Sequence, residues 1–318
     1  MEKKVIQILL IVCLVFTLVL GSCTPKQSEN PVPEPIEPTE PSLPSELFLD
    51  SDGDGFNDWF EMNIAHYDPS IPNDRYFILF YRVMDALEYD PEGTIESRGL
   101  DLPIQFLTEK GNVPSENIIR LTQEEATTSA LKNTIEQVAK KSDENDLVYV
   151  QISAHGNGSG STLTTVSFLA DKWIKYTTFN EWLDQIEAKA VILTISSCGC
   201  EKAVSVLKKG SCPRVIYLYG NYMFIKTLGA KLDCAEIADN RYGNNDGYVS
   251  IGEMADYQDD EFNYQSDWNI LRKRRKMRKD PKWISQETIE VEGYYPSRMI
   301  DASNIAYQIY LTDYKIPN

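Results

Sequence analysis

The sequence predicts an α/β protein: an open, mostly parallel sheet with helices on both faces, preceded by a small cation-binding loop module. Three observations carry this. Four apolar and aromatic runs of strand length, 76–83 (YFILFYRV), 147–153 (LVYVQIS), 190–195 (AVILTI) and 214–219 (RVIYLY), fit strands buried on both faces. Stretches of helical pattern lie between them, and strands that alternate with helices imply crossover units and a covered parallel sheet. Ahead of the first strand stands an aspartate-rich segment with the spacing of a calcium loop.

Composition narrows the functions open to such a fold. The chain has 318 residues, 42% of them apolar, and a net charge of −17. That apolar share supports a real core, and the acidic surface excludes a general nucleic-acid binder, which needs a basic footprint. There are two histidines, His66 and His155, and six cysteines, at 13, 23, 198, 200, 212 and 234. Chemistry that needs an imidazole therefore has two places to look.

The N-terminus opens with Lys3 and Lys4, then an apolar run over 5–20, then Leu20-Gly21-Ser22-Cys23. The run is short for a membrane-spanning helix, and the order is that of a secretory signal. Small residues before a cysteine resemble the lipobox of prokaryotic lipoproteins. That resemblance implies a signal peptide at 1–22, lipidation of Cys23, and a chain tethered to the extracytoplasmic face of the cell envelope membrane; the alternative is an uncleaved anchor. Residues 23–46 are rich in Pro, Glu, Ser and Thr and read as an extended spacer.

Residues 50–61, DSDGDGFNDWFE, place carboxylates at loop positions one, three, five, nine and twelve, with Gly55 at six. Asp50, Asp52 and Asp54 converge on one hard cation if the chain turns sharply at Gly55, and the Phe56 carbonyl, Asp58 and Glu61 complete the shell. Asn57 stands at position eight, where an EF-hand has an aliphatic residue. The continuation through Asp68-Pro69 to Pro72-Asn73-Asp74 resembles the thrombospondin type 3 calcium repeat, over about 25 residues, and implies further ligands at Asp68 and Asp74. The segment 47–75 is read as this module. A second acidic stretch, 244–253 (NNDGYVSIGE), offers Asn244, Asp246, the Tyr248 carbonyl, Ser250 and Glu253. Its first position falls on Tyr242, so Asp239 or Asn240 has to reach in; a calcium-free turn held by Asx hydrogen bonds is the other reading.

The core elements follow in order. After the strand at 76–83, helical patterns occupy 99–110 and 129–141, the latter with Leu131, Ile135 and Val138 on one side; 179–186 and 201–208 follow the second and third strands. Sites in such sheets form beyond the carboxyl ends of the strands. The second strand runs straight into Ala154-His155-Gly156, and the third into Ser196-Ser197-Cys198-Gly199-Cys200. A histidine and a cysteine thus leave the same edge of the inferred sheet, where an imidazole can hold a thiol as the attacking thiolate.

A strand followed by His-Gly and, some forty residues later, a strand followed by small-small-Cys resembles the caspase, metacaspase and legumain superfamily of cysteine peptidases. The segment 113–158 (VPSENIIRLT through AHGNG) is similar to the approach to the histidine in that group. The resemblance covers about residues 76–257, and 76–318 are read as the peptidase domain, a caspase-hemoglobinase-like fold. It implies His155 as general acid/base, Cys198 as nucleophile, and the amides of Gly156 and Cys198 as the oxyanion site. Cys200 is the rival nucleophile. Ser196 stands where many relatives have an acidic residue or glutamine, and 219–222 (YGNY) departs from the small polar segment expected there. His66, in NIAHYDP, reads as a surface or packing residue.

With Cys198 free, at most one disulfide is open, Cys212 with Cys234 being the natural pair. The basic run 272–282 (RKRRKMRKDPK) reads as a solvated face pairing with the acids of 256–267, an anion-binding patch, or a processing site. Residues 303–311 are expected to dock on the core as helix or strand. The function expected is that of a membrane-tethered, extracytoplasmic cysteine endopeptidase acting on peptides or proteins and stabilised by calcium; the alternative is a calcium-binding surface lipoprotein that uses the fold for binding without turnover, and calcium as an activator of the peptidase joins the two.

Overall fold

A computed structural model of the protein describes residues 49–82, 94–157, 167–197, 199–218, 232–258 and 299–316. The strands of the main sheet are β1 (Arg75–Arg82), β2 (Ile118–Thr122), β3 (Leu147–Ala154), β7 (Ala190–Ser196), β8 (Arg214–Leu218) and β9 (Met299–Asp301), ordered β2-β1-β3-β7-β8-β9. All neighbours pair in parallel except β9, which runs antiparallel to β8 at the edge. Three short antiparallel strands, β4 (Gly156–Asn157), β5 (Ser167–Leu169) and β6 (Trp173–Lys175), form a second sheet directly after His155.

Alternation sorts the apolar strands onto two cores. Ile78, Phe80, Val148, Val150, Ile152, Val191, Leu193 and Ile195 face α2 (Thr128–Val138), α3 (Tyr176–Leu183) and α4 (Val204–Leu207). Phe77, Leu79, Tyr149, Ile192, Val215 and Tyr217 face α1 (Thr94–Glu109), α5 (Leu232–Tyr242), α6 (Ile251–Tyr257) and the C-terminal segment. Every residue of β3 is buried. α2 forms where expected because Thr127 caps it, its hydroxyl accepting the Ala130 N–H at 3.1 Å, and because Leu131, Ile135 and Val138 make one buried stripe.

Several boundaries differ from the sequence reading. α1 begins at Thr94 and α3 at Tyr176, each earlier than their apolar periodicity shows. The stretch expected as a helix over 201–208 is a 3-10 turn, Cys200–Ala203, followed by the single α-turn of α4; Gly199, at φ +75°, reverses the chain before it. β2 was not expected, because Arg120 interrupts its five residues and four of them are half-exposed. The C-terminal stretch contributes a 3-10 turn, Ala306–Gln308, and a bridge from Tyr310 to Ser250.

Cys212 is a free, half-buried thiol packed against the first core, and the side chain of Cys234, its suggested partner, lies outside the described residues.

The segment 47–75 does not fold apart from the sheet. Phe56 and Phe60 are fully buried, stacked at 5.3 Å, and Phe60 meets Tyr248 at 5.0 Å and Tyr310 at 5.5 Å. Arg75, the first residue of β1, is fully buried and donates to the carbonyls of Asp54 at 2.8 Å, Gly111 at 2.9 Å and Leu311 at 3.1 Å, with its guanidinium 3.8 Å from the Phe56 ring centroid. The acidic segment is therefore fastened to the domain by one side chain and an aromatic cluster.

Removing that guanidinium strands three buried carbonyls, so Arg75→Met is expected to cost about 3 kcal/mol or more. Arg120→Ala, which breaks a surface pair with Asp101, is expected to cost less than about 1 kcal/mol. Urea midpoints of the two variants check the contrast; equal losses would overturn it.

Candidate functional site

The described residues hold two candidate sites, at opposite edges of the sheet. At the carboxyl edge, β3 and β7 are adjacent and parallel, with Ser153 paired to Ser196. His155 lies two residues beyond Ser153, and Cys198 two residues beyond Ser196 along the chain. Cys198 itself lies outside the described residues, as do Cys23, the segments 1–48 and 219–222, and the basic run 272–282.

His155 is half-buried where β3 ends, and its carbonyl accepts the Leu169 N–H at 2.8 Å. That bond makes Gly156 and Phe168 a non-hydrogen-bonded pair in the antiparallel ladder, so the Gly156 N–H is directed away from β5. An amide beside the imidazole and outside the ladder is the geometry an oxyanion donor needs.

Cys200 does not share this exposure. Its side chain is fully buried in the first core, with the sulfur 3.8 Å from the Ile195 carbonyl. A thiol sunk among apolar groups is inert. Ser197, immediately before Cys198, is buried and its Oγ lies 2.6 Å from the Tyr176 hydroxyl. His66 is exposed, in a left-handed conformation that ends the short helix after the acidic loop, as its surface reading expected.

At the amino edge, Asp50, Asp52 and Asp54 bring carboxylate oxygens within 4.8 Å of one another, among the described residues the one such group of acids, histidines or cysteines. The backbone does this. Asp50 accepts the N–H groups of Gly53 at 2.7 Å and Gly55 at 3.0 Å, and both glycines are left-handed, at φ +84° and +87°. A Cβ on Gly55 would also lie 2.3 Å from the Asn112 carbonyl, so only glycine fits.

Glu61 lies behind the three aspartates. It is fully buried; its Oε1 accepts the Asn73 amide at 3.3 Å, and its Oε2 has no protein partner. Burial first, then the charges of Asp54, Asp52, Asp58 and Asp50, push its carboxyl up to about 8. Burial likewise raises Asp54 to about 6, against hydrogen bonds from the Phe56 and Asn73 N–H groups that favour its ionised form. Lys189 stands with its ammonium 3.2 Å from the Tyr67 ring centroid, lowered to about 8 by burial and opposed in this by the charge of Glu61. Acids packed this way suit a hard cation with oxygen ligands.

Not every expected ligand joins the group. Asp58 accepts the Ser51 N–H and hydroxyl, at 2.8 and 2.6 Å. Asp68 is exposed and turned onto Ser70, and Asp74 neighbours Asp146 and Tyr76 instead. The residue the sequence reading missed is Asn73, whose backbone N–H and side chain touch Asp54 and Glu61. Asn57, odd for an EF-hand, caps the following helical turn and donates to Asp313 at 2.6 Å.

The second acidic stretch is likewise ordered by backbone donors. Asp239, rather than Asn240, reaches in and accepts the N–H groups of Asp246 and Gly247; Asp246 accepts the Tyr248 N–H; Ser250 and Glu253 form the capping box of α6. Asn244 bonds Asp246, and its own N–H goes to Glu253. These are Asx hydrogen bonds of the same kind that shape the first loop around Asp50 and Asp54.

No family model matches the chain, and no curated protein matches it. Among solved structures, the crystal structure of protein GSU0716 from Geobacter sulfurreducens, a structural genomics target, is similar over 44% of this chain and 70% of that one, at 13% identity and a TM-score of 0.30. At that score the likeness bears on neither fold nor function.

The raised carboxyls have a sign that can be measured. A carboxyl whose folded pKa exceeds its unfolded value keeps a proton in the native state that the unfolded chain has lost, so its contribution to stability falls as pH rises, for Glu61 between its ordinary 4.5 and about 8. In chelator, the loop is expected to gain stability as pH drops through that window, and a divalent cation is expected to remove the trend. Melting temperatures with and without the ion, in wild type and in Glu61→Gln, check it; a gap between ion-bound and ion-free protein that does not widen with pH would refute it.

Proposed function

We propose that this protein is an extracytoplasmic, membrane-tethered cysteine endopeptidase of the caspase and legumain type, stabilised by calcium. His155 and Cys198 act as the dyad: the imidazole takes the thiol proton, the thiolate attacks the peptide carbonyl, and the proton passes to the leaving amine. Water then releases the acyl-enzyme, activated by the same imidazole. The amides of Gly156 and Cys198 receive the oxyanion. The observation that carries this reading is the register of β3 and β7, which sets Ser153 opposite Ser196 and so starts the His155 and Cys198 segments from one level of the sheet. The burial of Cys200 supports Cys198 as the nucleophile.

A peptide-based thiol-directed acylating probe is expected to label Cys198 in wild type and in Cys200→Ala, and to lose its target in Cys198→Ala. His155→Ala is expected to lower kcat/KM by about 10²–10⁴-fold. Wild-type protein that, supplied with calcium, neither takes the probe nor cleaves any peptide in a diverse library would return the chain to the non-catalytic binding reading.

Calcium is the cation proposed for Asp50, Asp52, Asp54 and Glu61, because four carboxylates and no nitrogen or sulfur form a hard oxygen set. Its role is structural. The site lies at the start of β1 and the dyad beyond the ends of β3 and β7, and the eight residues of β1 alone span about 23 Å. Chelation is therefore expected to lower the melting temperature while leaving kcat unchanged well below it. A loss of kcat in chelator with the fold intact by circular dichroism would overturn this division.

A further inference from the structure

We propose that Tyr176 is the positioning residue that ties the histidine arm of the candidate dyad to its cysteine arm. This rests on the peptidase reading and deepens it. Tyr176 opens α3 directly after β6 and is fully buried. Its ring packs on Phe168 at 5.3 Å and on Phe179 at 6.4 Å, and its hydroxyl lies 2.6 Å from the Oγ of Ser197. Ser197 is itself 5% exposed and is bonded to Cys198.

The other end of this chain of contacts is the histidine. Phe168 pairs with Gly156 across β4 and β5, and the next residue, Leu169, holds the His155 carbonyl through its N–H at 2.8 Å. One path of packed groups thus runs from the His155 backbone through Phe168 and the Tyr176 ring to Ser197. Two loops that leave neighbouring strands have no covalent reason to keep a fixed separation, and a shift of about 1 Å between reacting groups costs up to about 100-fold in rate. A buried ring fixes the distance between the arms, and the hydroxyl fixes the rotation of the Ser197 side chain. Burial holds the Tyr176 phenol well above its ordinary value, so it remains a neutral hydroxyl and contributes geometry, not charge.

Phe168 and Phe179 also account for the ring as core packing, so only the hydroxyl separates the two roles. Tyr176→Phe keeps the ring and removes that group. If it positions the dyad, kcat on a peptide substrate falls about 10- to 100-fold with KM within about twofold, and Ser197→Ala gives the same loss. The double variant is then no worse than either single one, because both remove one interaction. A Tyr176→Phe protein that melts lower but keeps wild-type kcat, or losses that multiply in the double variant, would reduce Tyr176 to a core residue. Should Tyr176→Phe fail to fold, Ser197→Ala tests the same bond from its other side. Wild-type protein without probe labelling at Cys198 is a separate result: it removes the peptidase reading, and this inference with it.

Discussion

The amino edge of the sheet depends on the buried guanidinium of Arg75. Arg75 begins the first strand with no solvent to share its charge, and three carbonyls from three distant parts of the chain converge on it. The Asp54 carbonyl belongs to the acidic loop, Gly111 to the turn after α1, and Leu311 to the C-terminal segment. The field of Asp54 and Asp313 offsets part of the cost of burying the guanidinium, while burial itself pulls its pKa down. Lysine cannot replace it: a point charge reaches fewer acceptors and does not stack on Phe56. The loop, the helix end and the tail are therefore held to the amino edge of the sheet by one planar group.

That arrangement divides the molecule. Among the described residues, the one group of converging carboxylates lies at the amino edge, where the aromatic cluster of Phe56, Phe60, Tyr67, Tyr248 and Tyr310 seals the loop to the core. The His155, Gly156 and Ser197 backbone lies at the carboxyl edge, where parallel sheets leave room for ligands. Among the described residues, the two regions meet only through the sheet. Stability and the proposed chemistry can then vary separately, which suits a fold whose strands are rigid along their length and whose loops carry the work.

Much of this division was legible in the sequence, for identifiable reasons. Runs such as LVYVQIS announce a strand buried on both faces, and all four predicted strands lie within a residue or two of their observed ends. The aspartates at alternate positions with Gly55 announce a turn around a cation, and Asp50, Asp52 and Asp54 do converge. What was missed depends on long-range contact. β2 is an edge strand whose half-exposed residues show little alternation. Asn73, Asp313 and Tyr176 are ordinary residues in sequence, and become informative only when folding sets them against Asp54, Asn57 and Ser197.

The acidic loop concentrates like charge around a buried carboxyl. Glu61 is wholly buried with one oxygen unpaired, and four aspartates press on it. Protonation quiets this only below about pH 8, and at the cost of a neutral acid in a site shaped for a charge. On the calcium proposal, the ion would be shared by that oxygen and the three converging aspartates. Calcium loops of extracellular modules bind the ion at about 10⁻⁴–10⁻³ M, a level found outside cells and not in the cytosol. On the proposed lipoprotein reading, a chain exported before it folds meets the ion only after crossing the membrane. On that reading the acidic loop, pinned by Arg75, gains its ion only there, next to the start of the strand that opens the sheet.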